Sequence, residues 1–160
     1  MKPREQVDQR VAGFLEICRR HGGKATHQRT VILRELAGSL EHPDAETILA
    51  RVRRKIPAIS VDTIYRTLRL LEDSGVIARV GSMRDRARFD PNTDQHHHFV
   101  CTKCGMIGDF YSAAMDRLSA PREVAEMGVV DGVYVELRGI CRKCQQKATK
   151  TKAAKMGKRE

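Results

Sequence analysis

Tryptophan is absent from this chain, and only three Tyr and four Phe occur among its 160 residues. Long apolar runs are missing as well. A membrane-spanning helix needs about 20 predominantly apolar residues, and no stretch here approaches that. The N-terminus lacks the charged-then-apolar pattern of an export signal, so the chain reads as cytoplasmic. In a reducing compartment, paired C-x-x-C motifs favour metal over disulfide. No Ser nucleophile or additional Glu accompanies the ligand cluster described below. That weighs against a zinc-dependent hydrolase, which needs an open metal position, a base and a substrate pocket. Apolar residues still make up 41% of the chain, enough for one ordinary domain or two small ones.

What is present is concentrated between Asp90 and Phe110, in D-P-N-T-D-Q-H-H-H-F-V-C-T-K-C-G-M-I-G-D-F. The stretch holds three of the six histidines and two of the five cysteines. His96 and His98 lie two apart beside Phe99 and Val100, which reads as a short strand. Alternate side chains on a strand share a face, so His96 and His98 point one way and His97 the other. Asp90 precedes them, and Asp109 ends the next strand. Mixed imidazole–carboxylate ligation suits iron, manganese or zinc; a surface histidine cluster is the bland alternative. Cys101-x-x-Cys104 and Cys141-x-x-Cys144 supply four thiolates, the set for a closed tetrahedral structural zinc, with redox dithiols as the other reading. The 36 residues between the knuckles have room for a strand, a helix and a returning strand. The C-terminal half has few large apolar residues and needs such a staple.

Along the chain, residues 4–21 carry Val7, Val11, Phe14, Leu15 and Cys18 at helical spacing, with Cys18 read as a core thiol and Gly22-Gly23 as the stop. Thr26 caps a helix through Val31, Ile32, Leu33 and Leu36, with Lys24 and Arg29 at its start where phosphates are often held. His27 reads as a surface histidine and His42, by spacing alone, as a loop histidine. Pro43 is expected at a helix start, with Asp44 and Glu46 in the first turn. A further helix runs from its Ser60 cap to Gly75, burying Val61, Ile64, Leu68 and Leu71. Asp62, Thr63, Arg66 and Arg69 face away, with Tyr65 at the flank. This is either a reader helix, with Tyr65 and Arg66 toward the groove, or a solvated helix face. Two strands around Gly81-Ser82 then resemble a wing, whose Arg79, Arg84, Arg86 and Arg88 suit phosphates. Beyond the ligand stretch we expect a strand over Met106–Phe110, a helix over 112–126 despite Pro121, a strand over Gly132–Ile140, and a disordered basic tail.

The formal charge of +10 is uneven. Residues 1–90 hold 18 Lys/Arg against 12 Asp/Glu, residues 91–148 hold seven of each, and residues 149–160 hold five against one. A basic first half suggests a nucleic-acid partner, although a solvated basic surface accounts for the charge equally well.

Several local patterns together resemble the ferric uptake regulator family over about residues 10–148: G-G-K-A-T-H-Q-R-T, H-P-D-A-E, S-V-D-T-I-Y-R-T-L, R-F-D, H-H-H-F-V-C-T-K-C-G, G-D-F and C-R-K-C. The resemblance implies an α+β fold: an N-terminal winged helix-turn-helix DNA-binding domain over 1–86, a hinge over 87–91, and a small α/β dimerisation domain with a four-cysteine zinc site over 92–148. The tail is 149–160. It implies a homodimeric, metal-dependent repressor of palindromic double-stranded DNA operators rather than an enzyme or a membrane protein. Structural Zn2+ falls to Cys101, Cys104, Cys141 and Cys144, and regulatory Fe2+ or Mn2+ to His42, Asp90, His96, His98 and Asp109. The implied DNA contacts are Lys24, Arg29, Thr63, Tyr65, Arg66, Arg84 and Arg86. Asp109 matches the peroxide-sensing branch, where iron regulators carry Glu, and marks His42 and His96 as the oxidation-sensitive ligands. Arg66 resembles the iron regulators instead, so an iron-responsive uptake regulator is the alternative. The histidine of a further metal site in some family members would fall near Val133.

Overall fold

The computed structural model describes residues 3–20, 24–39, 41–81, 86–130 and 132–148. The expected helix stop at Gly22-Gly23, Ser82, Arg84 and the tail 149–160 lie outside these residues, as does the Cys18 side chain. The chain divides into two compact units, residues 1–94 and 95–160.

Four helices lead the first unit: α1 (Pro3–Arg20), α2 (His27–Ala37), α3 (Ala45–Arg53) and α4 (Val61–Asp73). The last three start where a side-chain oxygen takes up an otherwise unpaired backbone N–H. Thr26 accepts from the Arg29 amide, Asp44 from Thr47, and Ser60 from Thr63. Pro43 is therefore not the helix start. The chain is still extended at Asp44, which bridges to Arg88 while its carboxylate caps α3. The α4 helix ends at Gly75, whose φ of +67° an L side chain would resist. Ile64, Thr67, Leu68 and Leu71 are its buried residues. Val61, expected inward, stays exposed at the helix start, and Thr67 shares the inner face because it lies three residues from Ile64 and four from Leu71. Val11 and Phe14 of α1 close one core with Val31, Ile32, Leu36, Ile48 and Phe89. An antiparallel pair completes the wing, β1 (Ala78–Val80) against β2 (Arg88–Asp90), with Ala78 opposite Asp90 and Val80 opposite Arg88. The residues expected as a hinge, 87–91, fall in this unit.

In the second unit β3 (His97–Cys101) is the central strand. It is antiparallel to β4 (Ile107–Phe110) and parallel to β5 (Glu136–Gly139). The expected helix over 112–126 does not form as one element. Residues 113–117 make a turn, and only α5 (Arg122–Ala125) is helical beyond it. Pro121 supplies no N–H and biases the preceding residue toward extended backbone, so α5 starts after it with no side-chain cap. The expected strand over 132–140 shrinks to Glu136–Gly139, because the Val135 N–H is donated to the His97 ring at 3.2 Å. The Val135 carbonyl still accepts from the His98 amide. Residues 142–148 are helical. The fold is thus α+β, a winged-helix unit followed by a small sheet unit. No helix among the described residues is long and apolar enough to cross a membrane.

Candidate metal centres and DNA-facing surface

The cysteine cluster is built at one end of the second unit's sheet. Cys101 ends β3, and Cys104 sits in the tight turn that follows, closed by Gly105 at φ +68°. The Thr102 amide donates to the Gly139 carbonyl at 2.8 Å, which draws the end of β5 and the second knuckle alongside the first. The four sulfurs lie within 4.8 Å of one another, and Cys104 Sγ is 3.8 Å from Cys141 Sγ. Zinc–sulfur bonds of about 2.3 Å put the corners of a tetrahedron roughly 3.8 Å apart, so the donors fit that ion. All four are free thiols. The Cys141 N–H donates to Cys101 Sγ at 3.3 Å, and together with amides at Cys104 and Lys103 it lowers the Cys101 thiol to about 6. Hydrogen bonds to Cys104 and Cys141, then burial, push Cys144 up to about 12. Four thiolates this close repel one another unless a cation lies among them.

The imidazole–carboxylate residues form two groups, one in each unit. In the first, His42 Nε2 is 3.5 Å from Asp90 Oδ2, and both side chains are almost fully buried. The other carboxylate oxygen, Asp90 Oδ1, accepts from the Asn92 amide at 2.8 Å. His42 has a φ of +46°, the one positive value among the described non-glycine residues. Its carbonyl accepts from Arg88 Nη1 at 3.3 Å. In the second unit, the strand alternation puts the His96 and His98 rings together, Nε2 to Nε2 at 2.9 Å. Asp109 Oδ1 lies 3.7 Å from His96 Nε2 and 3.6 Å from His98 Nε2, across the β3–β4 pair. Metal–ligand bonds of about 2.1 Å place adjacent donors roughly 3 Å apart, so each group fits part of a coordination shell.

Two contacts escaped the sequence reading. His97 is fully buried on the opposite face, accepting the Val135 N–H at Nδ1, with Nε2 3.2 Å from Asp116 Oδ1. Alternation fixes its direction, but nothing in the sequence marks Asp116 as its partner. Arg88, read as a phosphate contact, turns toward the His42 carbonyl instead, and a contact to a backbone carbonyl leaves no sequence signature.

Of the expected DNA contacts, Tyr65 and Arg66 are exposed on α4, and Arg66 is 3.7 Å from Asp62 one turn earlier. Thr63 pairs with the Ser60 cap, their hydroxyls 2.8 Å apart. Arg29 Nη1 donates to the Lys24 carbonyl at the start of α2. Arg86 pairs with Glu46, and Asp44 Oδ2 is 3.9 Å away. Burial works against the Asp44 anion, but hydrogen bonds from Thr47 and the nearby Arg88 and Arg86 outweigh it and hold the carboxyl below its ordinary value. Tyr65, Arg66, Arg69, Arg79 and Arg86 line a groove of about 800 Å3 whose wall also carries Asp44, Glu46, Glu72 and Asp73.

The ferric uptake regulator family model matches residues 20–132. The chain is 33% identical to the peroxide-responsive repressor PerR of Staphylococcus epidermidis over 142 residues, which cover 89% of this chain and 95% of that protein. It is similar to the solved structure of a zinc-bound manganese uptake regulator, at 35% identity and a TM-score of 0.61 over 79% of this chain and 96% of the other. It shares the fold of the ferric uptake regulator Fur of Helicobacter pylori, with a TM-score of 0.72 at 23% identity over 91% and 97% of the two chains.

Proposed function

The chain belongs to the ferric uptake regulator family, and from that premise we propose that it is a homodimeric, metal-dependent transcriptional repressor that responds to peroxide. Cys101, Cys104, Cys141 and Cys144 hold structural zinc. His42, Asp90, His96, His98 and Asp109 hold regulatory iron or manganese. The observation that carries the reading is the donor chemistry of the two groups: His42 beside Asp90 in one unit, and His96 and His98 beside Asp109 in the other. Three nitrogens and two carboxylates suit Fe(II) or Mn(II) and leave a position open.

With residues 1–86 as the DNA-binding half, 87–91 as the hinge and 92–148 as the dimerisation half, a ligand set drawn from both halves selects one hinge state. That state sets whether two copies of α4 reach major grooves about 34 Å apart on a palindromic operator. By linkage, operator binding raises metal affinity in return. Tyr65 and Arg66 face the bases and Thr63 contacts the DNA beside them, while Lys24, Arg29, Arg84 and Arg86 serve the phosphates. Iron held by these residues would supply the means of cleaving the peroxide O–O bond, with the peroxide itself as the two-electron oxidant. The C–H of a ring carbon of His42 or His96 would become C–OH, and the second peroxide oxygen would leave as water. The altered ring is a poor ligand, and the repressor releases DNA. Support for the peroxide branch comes from Asp109, the shorter carboxylate, and from the similarity to peroxide-responsive repressors. The similarity to a manganese uptake regulator and the presence of Arg66 favour a metal-uptake regulator as the second reading.

His96→Ala tests the metal assignment. Manganese-dependent operator binding should be abolished, with zinc content unchanged. Full metal-dependent binding by this variant removes the site.

A further inference from the structure

We propose that Arg88 is a positioning residue for the metal ligand His42 rather than a phosphate contact of the wing, an inference that rests on His42 being a ligand. His42 occupies left-handed backbone at φ +46°, a region uncommon outside glycine and entered more readily by Asn, Asp and His than by other side chains. Pro43 follows, and a residue before proline prefers extended backbone. The conformation is therefore imposed by neighbours.

Those neighbours come from β2. Arg88 Nη1 donates to the His42 carbonyl at 3.3 Å, the Phe89 amide donates to the Pro43 carbonyl at 3.1 Å, and Asp44 pairs with Arg88 as an isolated antiparallel bridge. Residues 42–44 thus lie beside β2, tied to it by these two hydrogen bonds and one isolated bridge. Two residues beyond Arg88, Asp90 brings its carboxylate to 3.5 Å from the His42 ring. One short strand therefore supplies both a carboxylate beside the imidazole and a guanidinium that fixes the strained backbone beneath it. Of these contacts, the one from Arg88 is the only one made by a side chain to the His42 peptide itself, and Arg88 is only partly exposed. A group that orients a ligand without touching the metal typically changes metal affinity by roughly 10- to 100-fold when removed. A phosphate contact leaves metal affinity alone and adds about one to the slope of log K against log salt.

The experiment uses the zinc-loaded, full-length protein carrying Arg88→Gln, Arg88→Lys or His42→Ala. Three quantities are read: Mn(II) affinity without DNA, the salt slope of operator binding at saturating Mn(II), and amide hydrogen exchange over residues 41–45 in the protein stripped of Mn(II). Arg88→Gln should weaken Mn(II) binding roughly tenfold, speed exchange over 41–45 and leave the salt slope unchanged. Arg88→Lys keeps a donor and should recover part of the affinity. Unchanged Mn(II) affinity in Arg88→Gln overturns the proposal, and a salt slope reduced by about one would return Arg88 to the phosphates. If both Arg88 variants lose Mn(II) affinity only in proportion to a lowered melting temperature, the residue is merely structural and the proposal also falls. If His42→Ala binds Mn(II) as the unaltered protein does, the ligand reading itself fails, a result distinct from failure at Arg88 alone.

Discussion

The two units hold themselves together by different means. Among the described residues, fifteen buried side chains pack into one largely aliphatic core, and all fifteen belong to the first unit. In the second unit the buried residues classed as apolar are Cys101, Ile107 and Cys141, and two of those are thiols of the cysteine cluster. Its other buried side chains are His96, His97 and His98. The first unit is stabilised by hydrophobic burial, at roughly 1.5–3 kcal/mol per large aliphatic side chain. The second has little such burial among the described residues, and on the proposed reading its metal sites hold the fold as well as sense. The helix proposed as the reader then rests on a core that needs no ligand, while the proposed sensing half depends on metal.

The largest expected effect breaks that contrast on the metal side. Cys101→Ser should lose zinc, worth about 10 kcal/mol of folding free energy in comparable sites, and with it the dimer and the second unit's sheet. Helical structure from α1 to α4 should persist. Metal analysis, calorimetry and sizing check this; a variant that stays dimeric, zinc-free and equally heat-resistant refutes the assignment. Next in size is the packing side. Leu68→Ala removes a fully buried side chain of α4 and should cost about 2–5 kcal/mol in urea unfolding of the first unit, with zinc content intact. A cost well under that range would mean that the core is not what holds the reader helix.

The smallest effect sharpens the comparison at the Asp44 cap. Asp44→Ala should cost about 1 kcal/mol through loss of the Thr47 hydrogen bond, measured by denaturation at neutral pH. Because the folded-state carboxyl lies below its ordinary value of 3.8, the charged cap's contribution is complete above about pH 4 and fades as pH falls further. The gap between the parent and Asp44→Ala should therefore narrow on acidification. A gap that widens below pH 4 would contradict the sign of the shift.

Helix starts were legible because Thr26 and Ser60 offer side-chain oxygens to the backbone N–H groups at the right offset, a local effect that tertiary structure did not override. Pro43 misled by two residues, since α3 starts at Ala45 and the bridge between Asp44 and Arg88 keeps the chain extended just before it. The segment 112–126 misled more, because the helical spacing was weak and Pro121 divides it. The strand over 132–140 lost its first half to a contact between the Val135 amide and a histidine ring that no periodicity announces. At the metal centres, spacing marked the two cysteine knuckles and the shared face of His96 and His98. It gave no reason to single out His42, which came from family patterns alone. The inward turn of Arg88 was invisible, since arginine in a basic wing reads as a phosphate contact until its partner is seen.

The central claim is that one site senses peroxide through its bound iron. The direct measurement is operator binding by the purified protein loaded with Fe(II) or with Mn(II), before and after mild hydrogen peroxide, with peptide masses taken from the same samples. The account predicts that the iron form loses the operator and gains about 16 Da, one oxygen atom, on His42 or His96, while the manganese form keeps both its mass and its DNA, since the oxidation depends on the metal. An iron form that retains its mass and its operator through the treatment would contradict it and leave a metal-uptake regulator in its place.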